Sequence, residues 1–255
     1  MAVRVGVLGA SGRMGRTVSA AVAADPDLEL VAAVDTAGGA VEGLEVARGP
    51  EALTDAGAAV AVDFTRPEAV LGNVLWCVAN GVHAVVGTTG WTPADLERIE
   101  AAIDEAGRRS NVFVAPNFAI GAVLMMHFAE QAARFLPAAE IIELHHDGKV
   151  DAPSGTAMTT ARRIAATRGG PYRGPDGESL EGSRGGDHEG IRIHSVRLPG
   201  LVAHQEVILG GPGQTLSIRH DSMDRSSFMP GVLLAVKEVG NHPGLTVGLD
   251  RLLGL

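Results

Sequence analysis

Unbroken apolar runs, each closed by glycine or turn residues, alternate with segments of helical period through the first half of the chain. Val3 to Leu8, Leu28 to Val34, Ala59 to Asp63, His83 to Val86 and Asn111 to Val114 read as strands buried on both faces. Between them, helical spacing spans Arg16 to Ala24, a short stretch near Pro50 to Asp55, Pro67 to Asn80 and Pro93 to Ala106, while a glycine-rich connection follows Asp35. Strands alternating with helices predict an α/β fold with a doubly wound parallel sheet.

The pattern changes after Phe118. A helix over Val123 to Phe135 precedes a strand over Glu140 to Leu144 and a helix over Ser154 to Thr167, and the glycine-rich, charged stretch from Arg168 to Gly190 reads as a loop. Strands over Ile191 to Arg197, Leu201 to Leu209 and Gln214 to His220 follow with little room for helices between them, which predicts an α+β domain with a mostly antiparallel or mixed sheet. A last helix over Phe228 to Val239 and the tail Leu245 to Leu255 return to the first domain. The expected division is therefore 1–118 with 228–255, and 119–227.

Composition narrows this picture. With 255 residues, 45% of them apolar, the chain can bury a large core, and disorder is not expected. A formal charge of -9 and the lack of any basic run argue against a nucleic-acid partner. No segment offers the roughly 18 consecutive apolar residues of a membrane span, and MAVRVGVLGA is already strand rather than secretory signal, so a cytoplasmic protein is expected. The single cysteine, Cys77, falls in an apolar helical pattern and reads as a buried, inert thiol.

Chemistry concentrates in two places. The first strand runs into Gly9, Ala10, Ser11, Gly12, Arg13, Met14 and Gly15 and then a helix, and the second strand ends in Asp35 about 20 residues further on, the spacing of a dinucleotide-binding, Rossmann-like unit. Glycines let the backbone approach a pyrophosphate, and the carboxylate accepts from a ribose diol. In a doubly wound sheet the later strand ends, Phe64-Thr65, Gly87-Thr88-Thr89 and Ala115-Pro116-Asn117-Phe118, open onto the same crevice. Thr89 or Thr92 would serve equally as a helix cap.

The second place is ELHHDGKVDAPSGTA, residues 143 to 157. His145 and His146 can hold or release a proton near neutral pH, Lys149 is a point charge, and Ser154, Gly155 and Thr156 stand where a helix begins. Such a cluster suits a small acidic substrate. The plainer reading is that one histidine packs at the strand end and the other faces solvent, and a metal is the weaker alternative, because adjacent residues on a strand point to opposite faces.

GASGRMG, DFT, GTTG, APNF and above all HHDGKVDAPSGTA, with GLVAHQEV, IRHDSMDRSSF and FMPGVLLAV later, resemble the bacterial dihydrodipicolinate reductases of lysine biosynthesis over nearly the whole chain. The resemblance implies an NADH- or NADPH-dependent oxidoreductase that reduces 4-hydroxy-tetrahydrodipicolinate, a cyclic dicarboxylate, to tetrahydrodipicolinate with loss of water. It implies a substrate-binding domain that also forms a homotetramer. It further implies that His145 gives or takes a proton, that Lys149 donates one, that His146 touches substrate, and that Gly155 with Thr156 clamps a carboxylate. Gly9 to Met14, Asp35, Phe64, Gly87 to Thr89 and Ala115 to Phe118 resemble the cofactor contacts, with no metal. Asp35 favours NADH, since Thr36 to Ala40 supply no base to offset a 2′-phosphate, with Arg13 and Arg16 as the bases able to soften that preference. The chain departs from many members at Gly148, where they carry a third histidine, and Asp147 beside it would either tether Lys149 or face solvent. Competing readings are another two-domain dehydrogenase, and a non-catalytic NAD(H) sensor needing the glycine turn but not the His-Lys-Ser-Gly-Thr cluster.

Overall fold

The computed structural model describes every residue except 171, 173, 175 and 176, and it divides into one unit of residues 1–119 with 225–255 and another of residues 120–224. In the first unit the elements run β1 (Val3–Leu8), α1 (Arg13–Ala24), β2 (Leu28–Val34), β3 (Ala40–Val41), β4 (Leu44–Ala47), α2 (Glu51–Asp55), β5 (Val60–Asp63), α3 (Pro67–Ala79), β6 (His83–Val86), α4 (Pro93–Glu105) and β7 (Val112–Val114). The second unit contains α5 (Ile120–Ala133), β8 (Ala138–His145), α6 (Gly155–Thr167), β9 (Gly186–His188), β10 (Ile191–Arg197), β11 (Ala203–Gly211) and β12 (Gln214–Ser222). The chain then returns to the first unit as α7 (Met229–Glu238), β13 (Leu245–Val247) and α8 (Asp250–Leu253).

Among the described residues the first unit's strands order β13-β7-β6-β5-β1-β2-β4-β3, parallel except for the β3–β4 hairpin. The apolar runs explain this: Val5, Val7, Ala61, Val62, Val85, Val86 and Phe113 are wholly or almost wholly buried, as strands covered on both faces must be. Two local signals set helix starts. Pro67 and Pro93 occupy first-turn positions, and Thr92 forms a capping box in which its hydroxyl accepts from the Asp95 amide at 3.2 Å while the Asp95 carboxylate accepts from the Thr92 amide at 3.0 Å. α1 begins at Arg13, one turn before the expected Arg16, because Gly12 acts as its cap.

The connection after Asp35 is not a plain loop. Glu42 and Gly43, at φ 49° and 80°, close a two-residue hairpin, and its second strand β4 lies parallel to β2. Cys77 is buried, and burial pushes its thiol up to about 12, so it is inert as expected.

The second unit's sheet orders β12-β11-β8-β10-β9, with β8 and β10 parallel and the other pairs antiparallel. The expected mixed sheet is present. β9 lies inside the segment read as a loop, which it escapes by pairing short, exposed residues against β10; the part of that segment at 171, 173, 175 and 176 lies outside the described residues. One face of the sheet is buried through Ile141, Glu143, Val207, Leu209, Ile191 and Ile193, whereas Ile142, Leu144 and Ile208 on the alternate face are only half-buried.

Candidate active site

The first unit offers a cavity of about 510 Å³ outside the carboxyl ends of β1, β2 and β5, lined among others by Gly9, Ser11, Gly12, Asp35, Phe64 and Thr65. Gly9 has φ +78°, and a Cβ on Gly15 would stand 2.0 Å from the Gly9 carbonyl, so both glycines are required by the turn's approach to α1. Asp35 accepts from the Ser11 amide at 3.1 Å and from the Ala37 amide at 2.9 Å, which fixes its carboxylate beside the glycine turn. A turn of this shape, open space and a fixed carboxylate fit the adenosine half of a dinucleotide.

The later strand ends are knitted together behind this cavity. Buried Asp63 accepts from Thr65 through its amide at 2.7 Å and its hydroxyl at 2.6 Å, and from Asn73 at 2.8 Å; burial nonetheless raises its pKa. Thr88 is buried and donates to the Thr65 carbonyl at 3.3 Å. A Cβ on Gly87 would fall 2.0 Å from the Phe64 ring, and Phe118 is a buried core residue whose ring lies 5.9 Å from that of Phe64. Asn117 accepts from the Ala119 amide at 2.8 Å. Thr89 and Pro116 are exposed at the same strand ends, and Ala115 is buried. Ala10 is buried, and Arg13 is exposed on the first turn of α1 with Met14 beside it.

In the second unit His145 ends β8 and is two residues from Glu143, so strand alternation puts both on the buried face. Glu143 is wholly buried and acts as the hub of the cluster. It accepts from His145 Nδ1 at 2.5 Å, from Arg197 through two parallel bonds of 2.9 and 2.8 Å, and from the Ser154 amide at 3.2 Å. Burial alone would raise the Glu143 carboxyl, but the hydrogen bonds from His145, Arg197 and Ser195 overcome it and bring its pKa down to about 2. Its charge directs the proton of His145 to Nδ1 and leaves Nε2 as the nitrogen able to face a ligand.

Arg197 carries the connection onward by donating to the Asp151 carbonyl at 2.7 Å. The Asp151 carboxylate pairs with Lys149 Nζ at 2.7 and 2.9 Å, and this ammonium holds the Asp151 carboxyl below its usual range. Asp151 therefore tethers Lys149, while Asp147 is exposed at the turn closed by the Lys149 amide and the His146 carbonyl. Ser154 caps α6, accepting from the Ala157 amide at 3.2 Å. Gly155 follows with no atom within 4 Å of where a Cβ would stand, so the first turn of α6 opens to solvent. His146 is exposed and Thr156 half-buried.

The structure thus brings His145, Arg197 and the start of α6 around a carboxylate that sequence reasoning missed, with Lys149 linked to it through Asp151 and Arg197. Glu143 and Arg197 both occupy inward positions of alternating strands, Ile141-Glu143-His145 and Ile191-Ile193-Ser195-Arg197. An acid and a base placed where the pattern demands apolar residues were the available signal. Among the described residues no group of three or more His, Cys, Asp or Glu is placed to hold a metal ion.

A unit with the glycine turn and strand-end carboxylate of a dinucleotide-binding fold, joined to one with a histidine, lysine and arginine cluster, has the build of a pyridine-nucleotide-dependent oxidoreductase. Residues 3–118 match the family described as dihydrodipicolinate reductase, N-terminus, and residues 121–253 match dihydrodipicolinate reductase, C-terminus. The chain belongs to the dihydrodipicolinate reductase family. It is 56% identical to the 4-hydroxy-tetrahydrodipicolinate reductase of Nocardia farcinica over the full length of both, and 53% identical to that of Mycolicibacterium smegmatis over 99% of this chain and all of the relative. A solved, dipicolinate-bound dihydrodipicolinate reductase from Paenisporosarcina sp. TG-14 is 41% identical and superposes with a TM-score of 0.89, covering 98% of this chain and 99% of that one.

Proposed function

We propose that the cluster at 143–156 carries out the family's reaction in this chain, with Lys149 and His145 handling the proton and the start of α6 holding a substrate carboxylate. The reaction is the NAD(P)H-dependent reduction of 4-hydroxy-tetrahydrodipicolinate to tetrahydrodipicolinate in lysine biosynthesis, consuming one hydride and one proton and releasing water. Reduced nicotinamide supplies the hydride. Gly9 to Met14 and Asp35 hold the nucleotide in this reading, with Phe64, Gly87 to Thr89 and Ala115 to Phe118 forming the strand ends against it.

The observation that carries the proposal is the Glu143–His145 pair, linked through Arg197 and Asp151 to Lys149. Hydride addition to a carbon–nitrogen double bond leaves negative charge on nitrogen, which an ammonium or imidazolium neutralises by giving up a proton. The amides of Gly155 and Thr156 and the Thr156 hydroxyl then grip one carboxylate at a helix N-terminus, with His146 as a further contact. The dipicolinate bound by the Paenisporosarcina relative is a ligand of this chemical class. Replacing Thr156→Val is expected to raise the substrate KM by roughly tenfold with NADH affinity unchanged. Steady-state kinetics with a separate NADH titration check this, and unchanged substrate kinetics would reduce Ser154 to Thr156 to an ordinary helix cap.

NADH is the preferred cofactor in this reading, because Asp35 accepts from a ribose diol and repels a 2′-phosphate. The protein is cytoplasmic, and among the described residues no helix is long and apolar enough to cross a membrane. It is also a homotetramer. Support comes from the half-buried apolar residues Ile142, Leu144 and Ile208 and from β12, an edge strand with exposed Leu216, which a further copy would cover. Light scattering at micromolar concentration is expected to report four chains, and a stable monomer would contradict the assembly.

A further inference from the structure

The cavity beside Asp35 contains a base outside the stretch that immediately follows that residue. β4 runs parallel to β2, pairing Ala33 with Val46 and Val34 with Ala47, and the Asp35 amide donates to the Ala47 carbonyl at 2.9 Å. Arg48, the next residue, therefore leaves its strand beside Asp35. It is exposed, lines the same cavity of about 510 Å³, and its Nη2 lies 4.0 Å from where a Cβ on Gly38 would stand, over the turn that Asp35 organises. Among the described residues its guanidinium has no hydrogen-bond or ion-pair partner, whereas both Asp35 oxygens are engaged by backbone amides. The hairpin turn at Glu42-Gly43 creates this arrangement, because without β3 and β4 the chain would pass from Asp35 to α2 with no strand on the side of β2 away from β1.

We propose that Arg48 is a specificity-determining residue that pairs with the 2′-phosphate of the adenosine ribose and so admits NADPH to a site that Asp35 alone would reserve for NADH. This rests on the reading that the cavity takes the adenosine half of a pyridine nucleotide. A phosphate placed near the Asp35 carboxylate is repelled, and a planar guanidinium offsets that repulsion with two charge-assisted hydrogen bonds. The ribose diol of NADH needs the carboxylate and not the base. Arg66 also lines the cavity, but it follows β5, and the strand order sets β5 on the other side of β1 from β2 and β4. Arg16 comes near through Ser11, but its Nε already donates to the Ser11 carbonyl at 3.1 Å and it does not line the cavity, so of the two arginines that do, Arg48 is the one whose strand adjoins β2.

The test is calorimetry on the full chain with adenosine 2′,5′-bisphosphate, which carries the 2′-phosphate, and with ADP, which lacks it. Arg48→Gln is expected to weaken the bisphosphate by roughly 10- to 100-fold while ADP changes by less than about twofold, and Arg48→Lys to recover part of the loss. An equal loss for both probes, no loss for either, or a selective loss in Arg66→Gln in place of Arg48→Gln would overturn the assignment. If the unaltered protein binds neither probe, the adenosine reading of the cavity fails, and the role of Arg48 fails with it.

Discussion

Replacing Lys149→Met is expected to lower kcat by on the order of 10² to 10⁴ while leaving NADH affinity intact. Methionine keeps most of the stem, so the loss isolates the ammonium. Lys149 lies in the second unit with its side chain 22% exposed, held at 2.7 Å by Asp151, so its charge already has a fixed position in the free protein. That preplacement is why removing it should act on turnover: the proton donor must be in position when charge develops on nitrogen. Single-turnover measurements separate chemistry from binding. A near-normal kcat with only KM raised would make Lys149 a binding charge and assign the proton to His145 or water.

Glu143→Gln is expected to be damaging in two separate ways. The substitution keeps the volume but leaves the Arg197 guanidinium without its anion, and breaking a buried pair in this manner costs about 3 kcal/mol. It also weakens the bond that fixes the His145 tautomer, which should lower kcat by about 10- to 100-fold, as for other residues that orient a functional imidazole. The pH dependence of stability distinguishes this account from simple packing damage. Glu143 titrates near 2, below its usual value, so its stabilisation is complete above the ordinary carboxylate range and is lost as pH falls toward 2. Denaturant titrations should therefore show the gap between the unaltered protein and the variant shrinking on acidification. A gap that stays constant into strong acid would mean that the carboxylate's charge contributes nothing.

Most strands and helices were legible because continuous apolar runs and helical spacing are one-dimensional signals. Val3 to Leu8 and Leu28 to Val34 match their strands end to end. The β3–β4 hairpin was not legible, since Ala40-Val41 is too short to show a period and its turn carries Glu42 at positive φ where asparagine or glycine is the usual cue. β9 was hidden for a similar reason: Gly-Asp-His has low strand propensity and is held by pairing with β10 alone. At the site, the segment from His145 to Thr156 announced its chemistry through residue types close in sequence. Arg197 could not be joined to it by spacing, because its partnership with Glu143 depends on β10 lying beside β8. Arg48 is brought to the cavity beside Asp35 in the same way, through the pairing of β4 with β2.

The most direct measurement mixes the purified full-length protein with NADH and enzymatically generated 4-hydroxy-tetrahydrodipicolinate and follows the absorbance of the reduced nicotinamide. The account predicts that absorbance falls only when both are present, in proportion to the substrate added, and that Lys149→Met nearly abolishes the fall. Binding of NADH and NADPH without consumption of either would contradict it and leave a nucleotide-sensing protein in place of an enzyme.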